Sequence, residues 1–417
     1  MGFADHYLAK HGSGKHFIAI PPGKKLKYSI VIPAFNEPDL ISCLDSLWHC
    51  MPVSSSVEVI TAINWPFLSD DPTIMRNLEI MKEAESWAER HASENIRFHF
   101  MLAEPGSKKD SGVGFARKTG MDEAIRRLND LNKEDSILIS LDADTLVEEN
   151  YFLAIEEHLK KHPDTHGFNL YFEHPLEGNF PAEVYEAVAA YELHLRYYLQ
   201  ALRYAGHPNA FHTVGSAFAI KAPVYCQQGG MNRRQAGEDF YFLQKIFDLG
   251  NFSECKSTRV IPSARPSSRV PFGTGPIVIK YQENKKEQLT NHPALFEILK
   301  DFFQEITSLY NLSCEDLQLF TNNLHPLLQS FLNEKRFLEK IREIRSNSST
   351  PHAFRKRFFR WFNMFMALKF LNSGKKDYPD IPVSFAAKHL LEKKGRKGSI
   401  PYDVKDILAV FRNLEKG

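Results

Sequence analysis

Between residues 28 and 260, short apolar or β-branched runs alternate with stretches whose apolar residues recur every three to four positions. Residues 28–33, 57–63, 96–102 and 137–141 read as strands. The last of these is Ile137-Leu138-Ile139-Ser140-Leu141, the pattern of a strand buried on both faces. Helical spacing fills the intervals at 39–49, 73–92 and 113–128; in the third, Met121, Ala124, Ile125 and Leu128 mark one face. Farther on, 182–204 reads as a long helix, 213–221 as a strand, and 240–249 as a helix stopped by Gly250. This alternation predicts βαβ units in a mixed, mostly parallel sheet flanked by helices.

From 262 to 276 the sequence turns to Ser, Arg, Pro and Gly, ending in Phe272-Gly273-Thr274-Gly275. A structureless connection of that length is uncommon in a compact domain and reads as a candidate lid. From 283 onward the pattern is helical with no convincing strand. The expected organisation is an N-terminal extension at 1–27, an α/β domain at 28–280 and a helical region at 281–417. Within the last, Arg355, Lys356, Arg357 and Arg360 mix with Phe358, Phe359, Trp361, Phe362, Met364, Phe365, Met366, Leu368 and Phe370. A helix apolar nearly all round belongs in a protein core. A basic aromatic helix lying in a membrane interface is the alternative.

The 417 residues carry 52 Lys plus Arg against 51 Asp plus Glu, so no global field recruits nucleic acid, and any anion site must be local. Five cysteines, Cys43, Cys50, Cys226, Cys255 and Cys314, show no paired zinc spacing, and their odd number suits free thiols in a reducing compartment. The N-terminus lacks an apolar core of signal-peptide length, and no run approaches the roughly 18 apolar residues of a spanning helix. The expected location is the cytoplasm, including the inner face of a membrane.

Two acidic clusters carry the candidate chemistry. The buried run at 137–141 ends in Asp142-Ala143-Asp144, where open α/β sheets place their ligands. Carboxylates at i and i+2 on extended backbone point the same way, roughly 7 Å apart at their Cα atoms, and can share a hard divalent cation. The second cluster, Glu238-Asp239, opens a helix. Each has a bland reading: aspartates after strands cap turns, and acids in a first helical turn favour the macrodipole. Gly112 to Gly120 opens another helix with small residues, so its N–H groups, with Arg117 and Lys118, suit an anion. Lys108-Lys109 reads as a solvated turn. His194 and His212 have no metal-ligand spacing, and the aromatic residues of 182–204 suit either a sugar ring or ordinary packing.

The order of these motifs resembles family 2 glycosyltransferases. Ile32-Pro33-Ala34-Phe35-Asn36-Glu37 is similar to that family's strand ending in Pro-x-x-Asn-Glu, and Gly112-x-Gly114-x-Ala116-Arg117-Lys118-x-Gly120 to its Gly-x-x-x-Ala-Arg-Asn-x-Gly. Asp142-Ala143-Asp144 looks like its Asp-x-Asp, and Gly237-Glu238-Asp239, after Gly215 and Gly229-Gly230-Met231, like its Glu-Asp. The resemblance covers about 28–275 and leaves the C-terminal third aside. It implies a GT-A, Rossmann-like fold and an inverting transfer of sugar from a nucleoside diphosphate to a hydroxyl of a glycan, lipid-linked or small-molecule acceptor. It further implies Asp144 and Asp142 on Mg²⁺ or Mn²⁺, with Asp142 also on the donor's ribose side, and Asp239 as general base; Glu238 reads as its orienting or acceptor-binding catalytic neighbour. Pro33, Asn36, Glu37, Asn64, Gly114 and Arg117 would serve the donor; Arg265 and Arg269, read from the Ser/Pro/Gly loop, would either close over the donor's diphosphate or serve only the solubility of a surface loop. One departure stands out: Asn64-Trp65-Pro66 replaces the family's Asp-Asp-Gly-Ser type turn, so Asn64 is a neutral substitute, and Asp70 and Asp71 lie too far along to replace it. A nucleotidyltransferase would want a Gly-rich basic loop where Ala34-Phe35-Asn36-Glu37-Pro38 stands. A catalytically silent binding scaffold is the third reading.

Overall fold

The computed structural model describes residues 2–91, 93–234, 237–269, 273–284, 287–396 and 401–417. Contacts between Cα atoms divide the chain into two compact units, 1–185 with 213–282 and 416, and 186–212 with 283–415 and 417. Residues 186–212, placed in the α/β region by sequence order, group with the C-terminal helices.

The first unit contains an eight-stranded sheet: β1 (Leu26–Ala34), β2 (Ser56–Ile63), β3 (Ile96–Leu102), β4 (Ile137–Ser140), β5 (Leu146–Val147), β6 (Gly167–Phe172), β7 (Phe218–Lys221) and β8 (Phe252–Ile261). Their spatial order is β3, β2, β1, β4, β7, β6, β8, β5. The first four run parallel, and β6 runs parallel to β8. β7 is antiparallel to β4 and β6, and β5 is antiparallel to β8. This is the mixed, mostly parallel α/β sheet that the sequence predicts. The strands β5, β6 and β8 were not among those read from the pattern, and β7 begins five residues later than expected, at Phe218.

The helices of this unit are α1 (Asp5–His11), α2 (Leu40–Trp48), α3 (Asp71–Arg90), α4 (Val113–Asp130), α5 (Tyr151–Lys161), the first turn of α6 (Ala182–Tyr204), α7 (Ala222–Gln227), α8 (Glu238–Phe247) and, as far as residue 282, α9 (Thr274–Asn284), which begins inside the stretch expected to be structureless. Asp70 caps α3 by accepting from the Thr73 N–H at 3.1 Å, an ordinary N-cap use of an aspartate. α4 lies across β1 and β2. A Cβ at Gly120 would stand 2.6 Å from Val31 Cγ1, so only glycine lets the helix come this close. At its far end, Arg127 is buried and grips Glu58 of β2 with two 2.7 Å hydrogen bonds. The 1–27 segment packs on α4 as well: Tyr7 donates to Asp122 at 2.7 Å and accepts from Lys118 at 3.1 Å.

In the second unit the expectation of no strand fails by one small ladder, in which β9 (Leu289–Thr290) pairs antiparallel with β10 (Ile381–Pro382). The rest of the described elements are helical. Residues 354–371 are two helices, Pro351–Trp361 and Met364–Ser373, and Phe354, Phe358, Phe359, Phe362 and Phe370 are buried. Phe302 and Phe303 meet them edge to face, the arrangement aromatic quadrupoles favour. Most of the aromatic residues singled out here therefore pack inward. Elsewhere in this unit a buried ion cluster ties Glu192 to Arg196 and Arg412 at 2.8 Å each, and Glu415 to Arg196 and His212. Among the described residues no helix is long and apolar enough to cross a membrane.

Candidate active site

β1 and β4 are parallel neighbours, so both end on the same edge of the sheet. Past β4, the Leu141 N–H still bonds to Val31, after which the chain turns through Asp142, Ala143 and Asp144, with Thr145 N–H closing on the Asp142 carbonyl at 3.1 Å. Ala143 is buried beneath the turn while the Asp142 and Asp144 side chains remain 38% and 30% exposed.

The second acidic cluster arrives from the other side of β4. Gly237, at φ +69°, admits the chain to α8, whose first residues are Glu238 and Asp239. Arg117, in the second turn of α4, is 3% exposed and donates from one guanidinium nitrogen to Glu238 and from another to Asp142. The two clusters, distant in sequence, are thereby joined through one cation. Glycine makes this crossing possible. A Cβ at Gly114 would strike the Arg234 carbonyl and lie 3.1 Å from Glu238, and one at Gly215 would lie 3.0 Å from Asp239 Oδ2 and 3.1 Å from an Arg117 nitrogen.

Electrostatics follow from this crowding. Burial penalises the Arg117 charge, yet Glu238, Asp142 and Asp239 more than restore it and raise its pKa. Burial, then the Glu238 charge, pushes Asp239 up to about 7 against the pull of Arg117. Glu238 is also raised, again first by burial. Asp144 is pushed up to about 7 by burial, Glu37 and Asp142, with Arg269 and Arg265 opposing.

The segment after β8 lies against the Pro33–Glu37 turn. Arg265 donates to Glu37 at 2.6 and 2.8 Å and pairs with Asp39 at 2.8 Å. Arg269 pairs with Glu37 at 2.6 Å and donates to the carbonyls of Phe35 and Asn36 at 3.0 and 3.1 Å. Both guanidiniums stand only 3.9 and 4.0 Å from Asp144 Oδ2, beyond hydrogen-bond range. Phe272, at the end of this loop, lies outside the described residues.

The remaining expected donor residues are distributed differently. Pro33 is an internal residue of β1, opposite Ala62. Asn36 is exposed at φ +46°, held by its N–H to Asn77 Oδ1 at 2.8 Å. Asn64 is buried, and its amide donates to the Gly112 carbonyl at 3.1 Å, tying the end of β2 to the start of α4. Lys118 turns away from the site to Tyr7 and Asp122. Asp39 was not singled out in the sequence; two arginines four residues apart in a loop of a near-neutral chain were the available hint that acids awaited them.

Glu37, Asp39, Asp142, Asp144, Glu238 and Asp239 face Arg117, Arg265 and Arg269, an excess of carboxyls over fixed cations. Among the described residues no three His, Cys, Asp or Glu are placed to enclose a metal ion. A magnesium or manganese ion bound through one carboxylate, phosphate oxygens and water needs no such cage. Asp144 fits that mode, being partly open to solvent and crowded by other carboxyls. Asp142 already has one oxygen on Arg117.

No family model and no curated protein matches the chain. Among solved structures, S. aureus TarS residues 1–349 aligns over 90% of this chain and 94% of its own, at 10% identity and TM-score 0.40, and the same protein in complex with UDP-GlcNAc gives the same values. GalNAc-T7 with UDP, GalNAc and Mn²⁺ aligns over 85% of this chain and 59% of its own, at 15% identity and TM-score 0.36. Likenesses this distant carry no weight on activity.

Proposed function

We propose that the chain is an inverting, metal-dependent glycosyltransferase that moves a sugar from a nucleoside-diphosphate donor to a hydroxyl acceptor. The observation that carries this reading is the junction through Arg117 of Asp142 and Glu238, which brings the donor-side aspartates and Asp239 to one edge of the sheet. Asp144, with water and phosphate oxygens, is the residue to hold Mg²⁺ or Mn²⁺, which supplies Lewis-acid neutralisation of the departing diphosphate. Arg265 and Arg269, now on Glu37, are within reach of the same anion and suit its planar, bidentate recognition. Pro33 near the end of β1, Asn36 in the turn after it and Asn64 just past β2 are the residues assigned to the nucleotide, and Gly114 lets α4 approach.

Asp239 takes the acceptor's hydroxyl proton. As that oxygen forms its bond to the anomeric carbon, the bond from this carbon to the diphosphate oxygen breaks, and configuration inverts. Glu238 and Arg117 set the charge around Asp239, the first disfavouring and the second favouring its ionised form. The test is to incubate the protein and Mn²⁺ with UDP-, GDP- and dTDP-sugars and a panel of hydroxyl acceptors, following nucleotide release and the product anomer by NMR. One donor should release nucleotide and yield the inverted product. A retained anomer would overturn the single displacement, and silence with every donor would overturn the reading.

A further inference from the structure

α4 turns Gly120 toward Val31 of β1. Phe115, Lys118 and Asp122 lie about 140° to 200° round the helix from that glycine, and there they line a cavity of about 160 Å³ that the candidate active site does not use. Its other walls include Phe17 of the N-terminal segment, Leu102 at the end of β3, and Arg233, all within the first unit. Lys118 is buried and carries three N–H donors. Two are given, to Asp122 at 2.6 Å and Tyr7 at 3.1 Å, so one remains. Asp122 has nothing left to offer, because its Oδ1 accepts from Tyr7 and Tyr225 at 2.7 and 2.9 Å and its Oδ2 from Lys118. Arg233 holds Asp110 through Nη1 at 3.0 Å and stands 6.0 Å from the centre of the Phe115 ring, leaving its other nitrogens for a ligand. Lys15 and Glu104, also in the lining, are both exposed, where water screens them.

We infer that this cavity binds a small organic monocarboxylate with a body about one ring in size, its carboxylate on the third Lys118 N–H and on Arg233, its ring among Phe17, Leu102 and Phe115. The volume sets the size: an apolar cavity of about 150 Å³ admits benzene, so this one has no room for a nucleoside diphosphate. The lining sets the charge. One negative group answers the two cations, whereas a dianion such as phosphate meets the Asp122 carboxylate behind Lys118 and gains nothing from the aromatic walls. The ligand is distinct from donor and acceptor, and the inference does not depend on glycosyl transfer. Bound there, it ties the 13–17 segment to α4 and stabilises the folded chain by mass action.

The experiment titrates the full chain with benzoate, with benzyl alcohol, which keeps the ring and lacks the charge, with acetate, which lacks the ring, and with inorganic phosphate, following saturation-transfer NMR and Tm. Benzoate should bind saturably and raise Tm, and should bind at least about tenfold more tightly than each of the other three, since a hydrogen bond to a charged group and the burial of a ring are each worth that much. Leu102→Trp fills the cavity without removing a charge and should abolish benzoate binding. Lys118→Met should bring benzoate down to the level of benzyl alcohol. Equal affinity for benzoate and benzyl alcohol, undiminished benzoate binding in Leu102→Trp, or phosphate binding more tightly than benzoate overturns the proposal. Should Lys118→Met fail to fold, the ligand series and Leu102→Trp decide alone.

Discussion

At the scale of single residues, the account turns on two aspartates with one shared property and different duties. Asp239 and Asp144 are each pushed up to about 7, in both cases first by burial. A general base works only when ionised, so turnover should fall as pH drops below about 7 and level off above it. Measuring kcat from pH 5 to 9 with saturating donor checks the sign; a rate rising toward acid would contradict it. Asp239→Asn should lower kcat by about 10² to 10⁴, the usual span of general-base catalysis, while leaving donor affinity within about twofold. Arg117→Lys keeps the charge but cannot fork between Asp142 and Glu238. It should lower kcat and displace the acidic limb of the pH profile, a signature that loss of stability alone would not produce.

At the scale of elements, α4 organises the site, and it does so through contacts at both ends. Gly120 allows the helix onto β1, so Gly120→Val should force it outward and destabilise the protein by about 1–3 kcal/mol in urea unfolding. At the far end, Arg127→Met should strand the buried Glu58 carboxylate and destabilise by about 3–5 kcal/mol. Burial penalises the Glu58 charge, but His99 and Arg127 hold its pKa down at about 2. The sign follows: with the folded pKa depressed, this pair stabilises the fold above the usual carboxylate range and is lost as pH falls toward 2. In Arg127→Met that acid-dependent contribution should be missing. The element pattern also shows where sequence reasoning reaches its limit. β1, β2 and β4 were legible because their apolar runs are buried on both faces, and β3 because Ile96, Phe98, Phe100, Met101 and Leu102 keep it apolar although it is only part-buried. β6 was not, since Asn169 sits in its middle, and β8 was not, since Lys256 and Ser257 interrupt it with polar, outward positions; both strands exist because neighbours supply the pairing.

At the scale of the whole molecule, the order of acidic motifs along the chain was readable, and so was the edge of the sheet at which the first of them emerges. The partnerships were not. Nothing local to Glu37 announces Arg265 and Arg269 from the far end of the α/β unit, and Arg117, expected at an anion, is instead buried between two carboxylates. Such pairings depend on which loops the topology brings together, information that periodicity does not contain. The assignment of residues 186–212 to the helical unit is of the same kind, since it reflects contacts with 283–415 rather than order along the chain.

The central claim is that Asp144 and Asp239 share one site and divide its labour, the first serving the donor and the second the acceptor. Calorimetric titration of the productive nucleotide sugar, with and without Mn²⁺, into the wild type, Asp144→Asn and Asp239→Asn tests it directly. The account predicts Mn²⁺-dependent binding in the wild type and in Asp239→Asn, and loss of the Mn²⁺ dependence in Asp144→Asn. Undiminished Mn²⁺-dependent binding in Asp144→Asn, or its loss in Asp239→Asn, would contradict it.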